Sequence, residues 1–253
     1  MDLELHDKVA LVTGGTRGLG RAVCASLVAE GARVAVNSRG SQPSASSVVS
    51  ASQHDAPDQV IHVAGDVSRE ADVVALFDAA ERSFGIVDVL VNNAADCPTC
   101  PVTDLPLDVW SQTLAVDLTG VFLTCREMVR RLIAAGRPGR IVNVSSSAAF
   151  LGSTTGHAPY DASKGGIVSL TYSLAREVAA HHIAVNAVAP GMMRTDMTET
   201  TLRVNEAKYV ARIPLQRIAD VHEIADVIVF LASPRASYMT GAIVNVSGGL
   251  LMR

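Results

Sequence analysis

The stretch "KVALVTGGTRGLG" (8–20) decides how the rest of the chain is read. Its first six residues form an apolar run too short for a helix and stopped by glycine, which predicts a β-strand buried on both faces. The segment 18–30 that follows is amphipathic with helical period. Between them, the turn "TGGTRGLG" (13–20) keeps side chains away from an approaching pyrophosphate, and the helix start offers unpaired N–H groups and a positive dipole end. Glycines can also serve a tight bend alone. Their position between a first strand and a first helix favours a dinucleotide site.

Outward from this turn the same rhythm repeats. "RVAVN" (33–37), "VIHVAG" (60–65), "VDVLVNN" (87–93), "RIVNVSS" (140–146), "IAVNAVAP" (183–190) and "AIVNVSGG" (242–249) read as further buried strands. Helical segments over 44–53, 69–84, 107–135, 159–181 and 221–232 separate them. Alternating strand and helix requires parallel strands with right-handed crossovers. The expected fold is α/β: one domain over 1–253, a doubly wound (Rossmann) parallel seven-stranded sheet with helices on both faces. Residues 191–218 break the rhythm with a long insertion at the carboxyl edge of the sheet, expected to be a mobile substrate lid.

The 253 residues are 49% apolar and 18% charged, so a packed globule is expected rather than an extended disordered chain. The net charge of -4 gives no global attraction to nucleic acid or to anionic lipid. The longest apolar runs, such as "VIVFLA" (227–232), fall far short of the roughly 20 residues that span a bilayer. The start "MDLELHDKVALVTGG" has no basic segment followed by an apolar one, which predicts a cytoplasmic location and no membrane partner. Of the cysteines Cys24, Cys97, Cys100 and Cys125, the pair in "CPTC" (97–100) lacks a second ligand pair for zinc, and prolines break the segment. Loop cysteines and no metal site are the expectation.

Where NAD sites carry an acid after the second strand, this chain has Ser38 and then Arg39. Arg39 and Arg17 would grip a 2′-phosphate through charge-assisted hydrogen bonds, predicting NADP(H), with NAD(H) use as the alternative if these arginines are only solvated surface charges. In "APYDASKGG" (158–166), Tyr160 and Lys164 share a helix face at i and i+4. Moving a phenol from pKa about 10 to about 7 takes roughly 4 kcal/mol. One positive charge at about 5 Å supplies on the order of 3 kcal/mol at an effective dielectric near 20. Such a tyrosine gives a proton to a carbonyl oxygen or takes one from an alcohol.

Taken in order, "TGGTRGLG", "GDV" (65–67), "NNA" (92–94), "VSSS" (144–147), "YDASK" (160–164), "NAVAPGMMRTDM" (186–197) and "TGAIVNVSGG" (240–249) resemble the motifs of the short-chain dehydrogenase/reductases, over about residues 6 to 250. Within that family the chain most resembles bacterial 3-oxoacyl-carrier-protein reductases and their secondary-metabolism and sugar-alcohol relatives. The resemblance implies a catalytic set of Ser146, Tyr160, Lys164 and Asp117, with Ser146 favoured over Ser147 as the hydroxyl that orients the substrate. It implies cofactor contacts from Gly14, Thr16, Arg17, Gly18, Leu19, Gly20, Ser38, Arg39, Asp66, Val67, Asn92, Ala94, Tyr160, Lys164, Pro190, Gly191, Met193 and Thr195. Asp66 can alternatively cap the third helix.

Three departures stand out. Asp117 replaces the family's usual Asn, and its charge would hold Lys164 protonated while weakening the lysine's pull on Tyr160. Ala95 replaces a glycine, and Ser247 an acid. Cys97, Ser146, Leu151, His157 and Met192 are expected to line a mostly apolar substrate pocket, His157 as an ordinary loop histidine. The leading substrate is a small ketone or an acyl thioester, with delivery on a carrier protein met by Arg126, Arg130, Arg131 and Arg137, unless these are solvated helix charges. Two other functions stay open: a sugar, polyol or steroid alcohol dehydrogenase, and a non-catalytic dinucleotide-binding regulator. Apolar and small residues around the fourth and fifth helices, among them Ala115, Gly120, Ala162, Gly165 and Gly166, predict an oligomer, and the family suggests a homotetramer.

Overall fold

The computed structural model of the chain describes residues 2–40 and 57–252. The helix expected over 44–53 lies outside them. Among the described residues, seven strands form one parallel sheet in the order β3-β2-β1-β4-β5-β6-β7: β1 Val9–Val12, β2 Arg33–Ser38, β3 Val60–Ala64, β4 Val89–Asn92, β5 Gly139–Val144, β6 Ile183–Pro190 and β7 Ile243–Val246. The order reverses between β1 and β4, which opens a crevice at their carboxyl ends, where doubly wound sheets bind ligands.

The helices are α1 (Gly18–Ala29), α2 (Glu70–Phe84), α3 (Leu107–Leu114), α4 (Gly120–Ala135), α5 (Ala148–Leu151), α6 (Ala158–Val178), α7 (Asp196–Val210) and α8 (Val221–Ala232), of which α1, α2, α4, α6 and α8 cover the two faces. On one face, Val23 and Leu27 of α1 meet Ile224 and Ile228 of α8 over Val34, Val91 and Val142. On the other, Phe77 of α2, Met128 and Leu132 of α4 and Ile167 of α6 cover Leu11, Leu90 and Ile141. Alternate residues of β1, β4 and β5 therefore serve opposite faces, as strand geometry requires. Asp88, at the entry to β4, accepts a hydrogen bond from the Val9 N–H at 3.0 Å and pairs with Arg137 at 2.6 Å, tying the edges of two central strands together.

The segment expected as one helix over 107–135 is divided. Five residues, Ala115–Thr119, form a π-helical turn between α3 and α4. At the junction Gly120 is pressed against the Val67 loop, where an added Cβ would lie 2.9 Å from Val67 Cγ2. Wider turns of this kind concentrate at functional sites. This one carries Asp117, which is fully buried.

Candidate active site

The glycine turn closes on itself. A Cβ on Gly20 would fall 2.3 Å from the Gly14 carbonyl oxygen and 2.5 Å from Asn93 Nδ2, so only glycine lets α1 start this close to β1. Asn93 fixes the turn by donating from Nδ2 to the carbonyls of Thr13 and Gly14, both at 3.0 Å. The turn opens into a cavity of about 660 Å³ running along the carboxyl edge of the sheet. Gly14, Thr16, Arg17, Gly18, Leu19, Gly20, Ser38, Arg39, Val67 and Ala94 line one part; Pro190, Gly191, Met193 and Thr195 line another. Backbone N–H groups at the start of α1 with no side chain above them suit an anionic pyrophosphate.

Two of the expected cofactor contacts lie elsewhere. Asn92 is buried behind the cavity, donating from Nδ2 to Asn143 Oδ1 at 2.9 Å and accepting from the Thr124 hydroxyl at 2.7 Å. Asp66 does not line the cavity and accepts from the N–H and hydroxyl of Ser68 at 2.9 and 2.7 Å, a local turn at the approach to α2. Ser38 accompanies His62, whose Nε2 lies 2.8 Å from its hydroxyl oxygen, and Arg39 forms an ion pair with Asp96 at 2.9 Å.

Tyr160, Lys164 and Ser146 meet in the same cavity. Lys164 is buried, donates to the Val144 carbonyl at 2.9 Å and holds its Nζ 5.3 Å from the centre of the Tyr160 ring. Ser146 hydrogen-bonds Tyr160, while Ser147 also lines the cavity and its N–H donates to the Pro190 carbonyl at 2.8 Å. Burial pushes the Tyr160 phenol above its ordinary value; Cys97 beside it adds to the rise, the Ser146 hydrogen bond opposes it, and Asp117 and Asp161 add to it again. In the chain by itself, burial thus outweighs any pull of Lys164 on the phenol. Burial lowers Lys164, and Asp117 pulls it back up.

Asp117 reaches this centre from the π-helical turn. One oxygen accepts the Asp96 N–H at 2.8 Å, the other faces the Ser163 hydroxyl at 3.4 Å, and burial raises the carboxyl to about 6 despite the pull of Lys164. Cys97, Leu151, His157 and Met192 line the cavity around Tyr160. His157 Nδ1 lies 2.9 Å from the Pro98 carbonyl and 3.6 Å from the Cys97 sulfur, so the ring acts as a loop clamp, donating to the carbonyl.

A family model described as "Enoyl-(Acyl carrier protein) reductase" matches residues 14–251. The chain belongs to the short-chain dehydrogenase/reductase family. It is 36% identical over 251 residues to the 3-oxoacyl-[acyl-carrier-protein] reductase FabG of Aquifex aeolicus, covering 99% of this chain and 100% of that one. It is 41% identical over 247 residues to the uncharacterized oxidoreductase YgfF of Escherichia coli, covering 95% and 99%. Among solved structures, a putative 2-deoxy-D-gluconate 3-dehydrogenase from Agrobacterium tumefaciens with bound NADP superposes with a TM-score of 0.89 at 34% identity, covering 100% of this chain and 99% of that one. As a short-chain dehydrogenase/reductase the protein is an oxidoreductase that uses a nicotinamide cofactor. The glycine cradle, with no room for a Cβ, fits that cofactor.

Several residues of this short-chain dehydrogenase/reductase site were not singled out from sequence. Asn93 holds the glycine turn, Ser163 faces Asp117, and Tyr209, Arg212 and Leu250 line the cavity. Asn93 stands within the "NNA" motif, and Ser163 stands three residues after Tyr160, on a neighbouring part of the same helix surface; Tyr209, Arg212 and Leu250 lie outside the quoted motifs. Among the four arginines considered for a carrier protein, Arg126 pairs with Glu70, Arg131 with Asp78, Glu81 and Glu127, and Arg137 with Asp88.

Proposed function

We propose that the protein is an NADP(H)-dependent ketone reductase, with a 3-oxoacyl thioester or a related ketone as its substrate. The observation that carries this reading is the contact of Ser146 with Tyr160 above a buried Lys164, in the same cavity as the glycine turn. Bound there, a nicotinamide dinucleotide supplies a hydride to a carbonyl carbon or accepts one from a secondary alcohol. Gly14, Thr16, Gly18, Leu19 and Gly20 would hold its pyrophosphate. Arg17 and Arg39 would take a 2′-phosphate, Ser38, Val67 and Ala94 the adenosine, and Pro190, Gly191, Met193 and Thr195 the nicotinamide end.

The rest is this chain's own work. Ser146 donates a hydrogen bond to the substrate carbonyl oxygen, and Tyr160 gives that oxygen its proton as the alkoxide develops. A phenol held protonated at neutral pH is suited to this donation. Lys164 keeps a positive charge beside the phenolate left behind, and Asp117 keeps the lysine charged. The helix α7, in which Leu202 is the one buried residue, packs loosely enough to serve as a substrate cover. Solved relatives described as gluconate, 2-deoxy-D-gluconate and glucose/ribitol dehydrogenases favour a second reading, a sugar-acid or polyol dehydrogenase. The apolar lining from Leu151, Met192, Met193 and Ile213 supports the acyl substrate instead.

A panel of 3-oxoacyl thioesters, simple ketones and sugar acids, followed by nicotinamide absorbance, tests the reading. NADPH should give a kcat/KM at least about tenfold above NADH, the worth of one charge-assisted hydrogen bond to the 2′-phosphate. Tyr160→Phe should bind NADPH normally and lose at least about a hundredfold in kcat. Preference for NADH, or turnover surviving Tyr160→Phe, would overturn it; tight NADPH binding with no turnover on any substrate would leave the regulator.

A further inference from the structure

We propose that Asp96 is a specificity-determining residue for the dinucleotide: it occupies Arg39 and so limits how strongly this arginine takes a 2′-phosphate. This rests on the proposed NADP(H) preference. Arg39 follows β2 and Asp96 follows β4, the two strands that flank β1 in the sheet. Neighbouring strands are about 4.8 Å apart, so the pair reaches across two strand spacings at the carboxyl edge, past the glycine turn that leaves β1. An arginine is long enough for this crossing. The guanidinium meets Asp96 Oδ1 at 2.9 Å, and Arg39 also lines the cavity.

The carboxylate and a 2′-phosphate compete for the same fork of donors, because both are anions matched to guanidinium geometry. Arg39 keeps about half of its side-chain surface exposed and Asp96 about a third, so the pair is weak enough to be displaced and strong enough to be felt. Asp96 is also fixed in place. Its backbone N–H donates to buried Asp117 at 2.8 Å, so its side chain leaves from an anchored position and not from a loose loop. Changing the carboxylate to an amide leaves that backbone bond intact but removes a charge that raises Asp117, so the effect on Arg39 is read from nucleotide binding and not from turnover. An amide carries no charge and competes poorly for the guanidinium.

Calorimetric binding of adenosine 2′,5′-bisphosphate and of adenosine 5′-diphosphate, which lacks the 2′-phosphate, tests this without turnover. Asp96→Asn should tighten the bisphosphate about two- to fivefold, the range of an exposed ion pair, and leave the diphosphate unchanged. Arg39→Ala should weaken the bisphosphate at least about tenfold, and Asp96→Asn added to it should then do nothing. If Arg39→Ala weakens the bisphosphate but Asp96→Asn does not tighten it, or tightens both ligands alike, the role of Asp96 is overturned while the 2′-phosphate grip survives. If Arg39→Ala leaves the bisphosphate affinity intact, Arg39 is no 2′-phosphate residue and the proposal for Asp96 falls with it. Thermal unfolding of each variant confirms that a change in binding is not lost fold.

Discussion

Asp117 is where the residue scale decides most. The carboxyl is fully buried, raised to about 6, and set against a lysine and a phenol that respond to it in the same direction: its charge raises both. Asn can keep the two contacts, accepting the Asp96 N–H through its oxygen and donating its amide to the Ser163 hydroxyl. Asp117→Asn is therefore expected to cost less than about tenfold in kcat at its optimum, a barrier change of about 1.4 kcal/mol. The pH profile of alcohol oxidation should move toward acid, because Tyr160 and Lys164 both lose the charge that holds their pKa values up. The same change should stabilise the fold. A carboxyl raised from 3.8 to about 6 binds more protons folded than unfolded across that window, so its contribution is neutral below about pH 4 and becomes unfavourable as pH rises through 6. Asp117→Asn should then gain on the order of 2 kcal/mol at pH 8, roughly 5 °C in Tm, and nothing at pH 4. Unchanged pH profiles and an unchanged Tm difference between pH 4 and pH 8 would mean that the carboxylate is uncoupled from its neighbours.

At the scale of elements, the Val-rich runs were legible because a parallel strand buried on both faces leaves a continuous apolar signature; β1, β3, β4, β6 and β7 fall within the runs read from sequence, while β2 ends one residue beyond its run, at Ser38, and β5 begins one residue before its run, at Gly139. What escaped depends on contacts between distant segments. The π-helical turn at Ala115–Thr119 has no local signature, since Gly120 is set by its approach to Val67, 53 residues earlier by the numbering. Likewise "NNA" offers two adjacent asparagines, and a strand buried on both faces gives no polar side to tell which one faces the turn; Asn93 does, and Asn92 joins Asn143 and Thr124 inside. The inserted segment 191–218 shows little apolar period, so α7 leaves no helical signature in the sequence. The glycine turn is the element whose sequence reading can be tested most sharply. Gly20→Ala would drive a Cβ to 2.3 Å from a backbone oxygen, which no rotamer relieves. Moving α1 away from β1 should cost about 1–3 kcal/mol of stability and weaken dinucleotide binding at least about tenfold, read by thermal unfolding and by calorimetric titration with NADPH. Normal affinity in that variant would mean that the close start of α1 is not what forms the pyrophosphate cradle.

For the whole molecule, the question is what lies on the outer faces of α4 and α6. Phe122 and Ile133, 43% and 42% exposed, stand eleven residues apart and so on one side of α4, with Arg126 folded over the Phe122 ring at 5.2 Å. On α6, exposed Ala162, Ser169 and Tyr172 share a side at spacings of seven and three, small enough in their first part for another helix to approach closely. Gly120 and Gly166, read from sequence as oligomer residues, are already used inside the chain, against Val67 and Leu118. Any contact between copies therefore falls to the exposed apolar groups. A stable interface buries about 800 Å² on each partner, and two helices packed against their copies supply an area of that order. We propose that these faces build the homotetramer, and a tetramer is expected by light scattering at micromolar concentration. Phe122→Asp places a charge at the centre of such an interface, where leaving it unpaired costs several kcal/mol, so this variant should run as dimers or monomers while its far-ultraviolet circular dichroism is unchanged. A wild-type monomer, or a Phe122→Asp tetramer as tight as the parent, would remove α4 from the assembly.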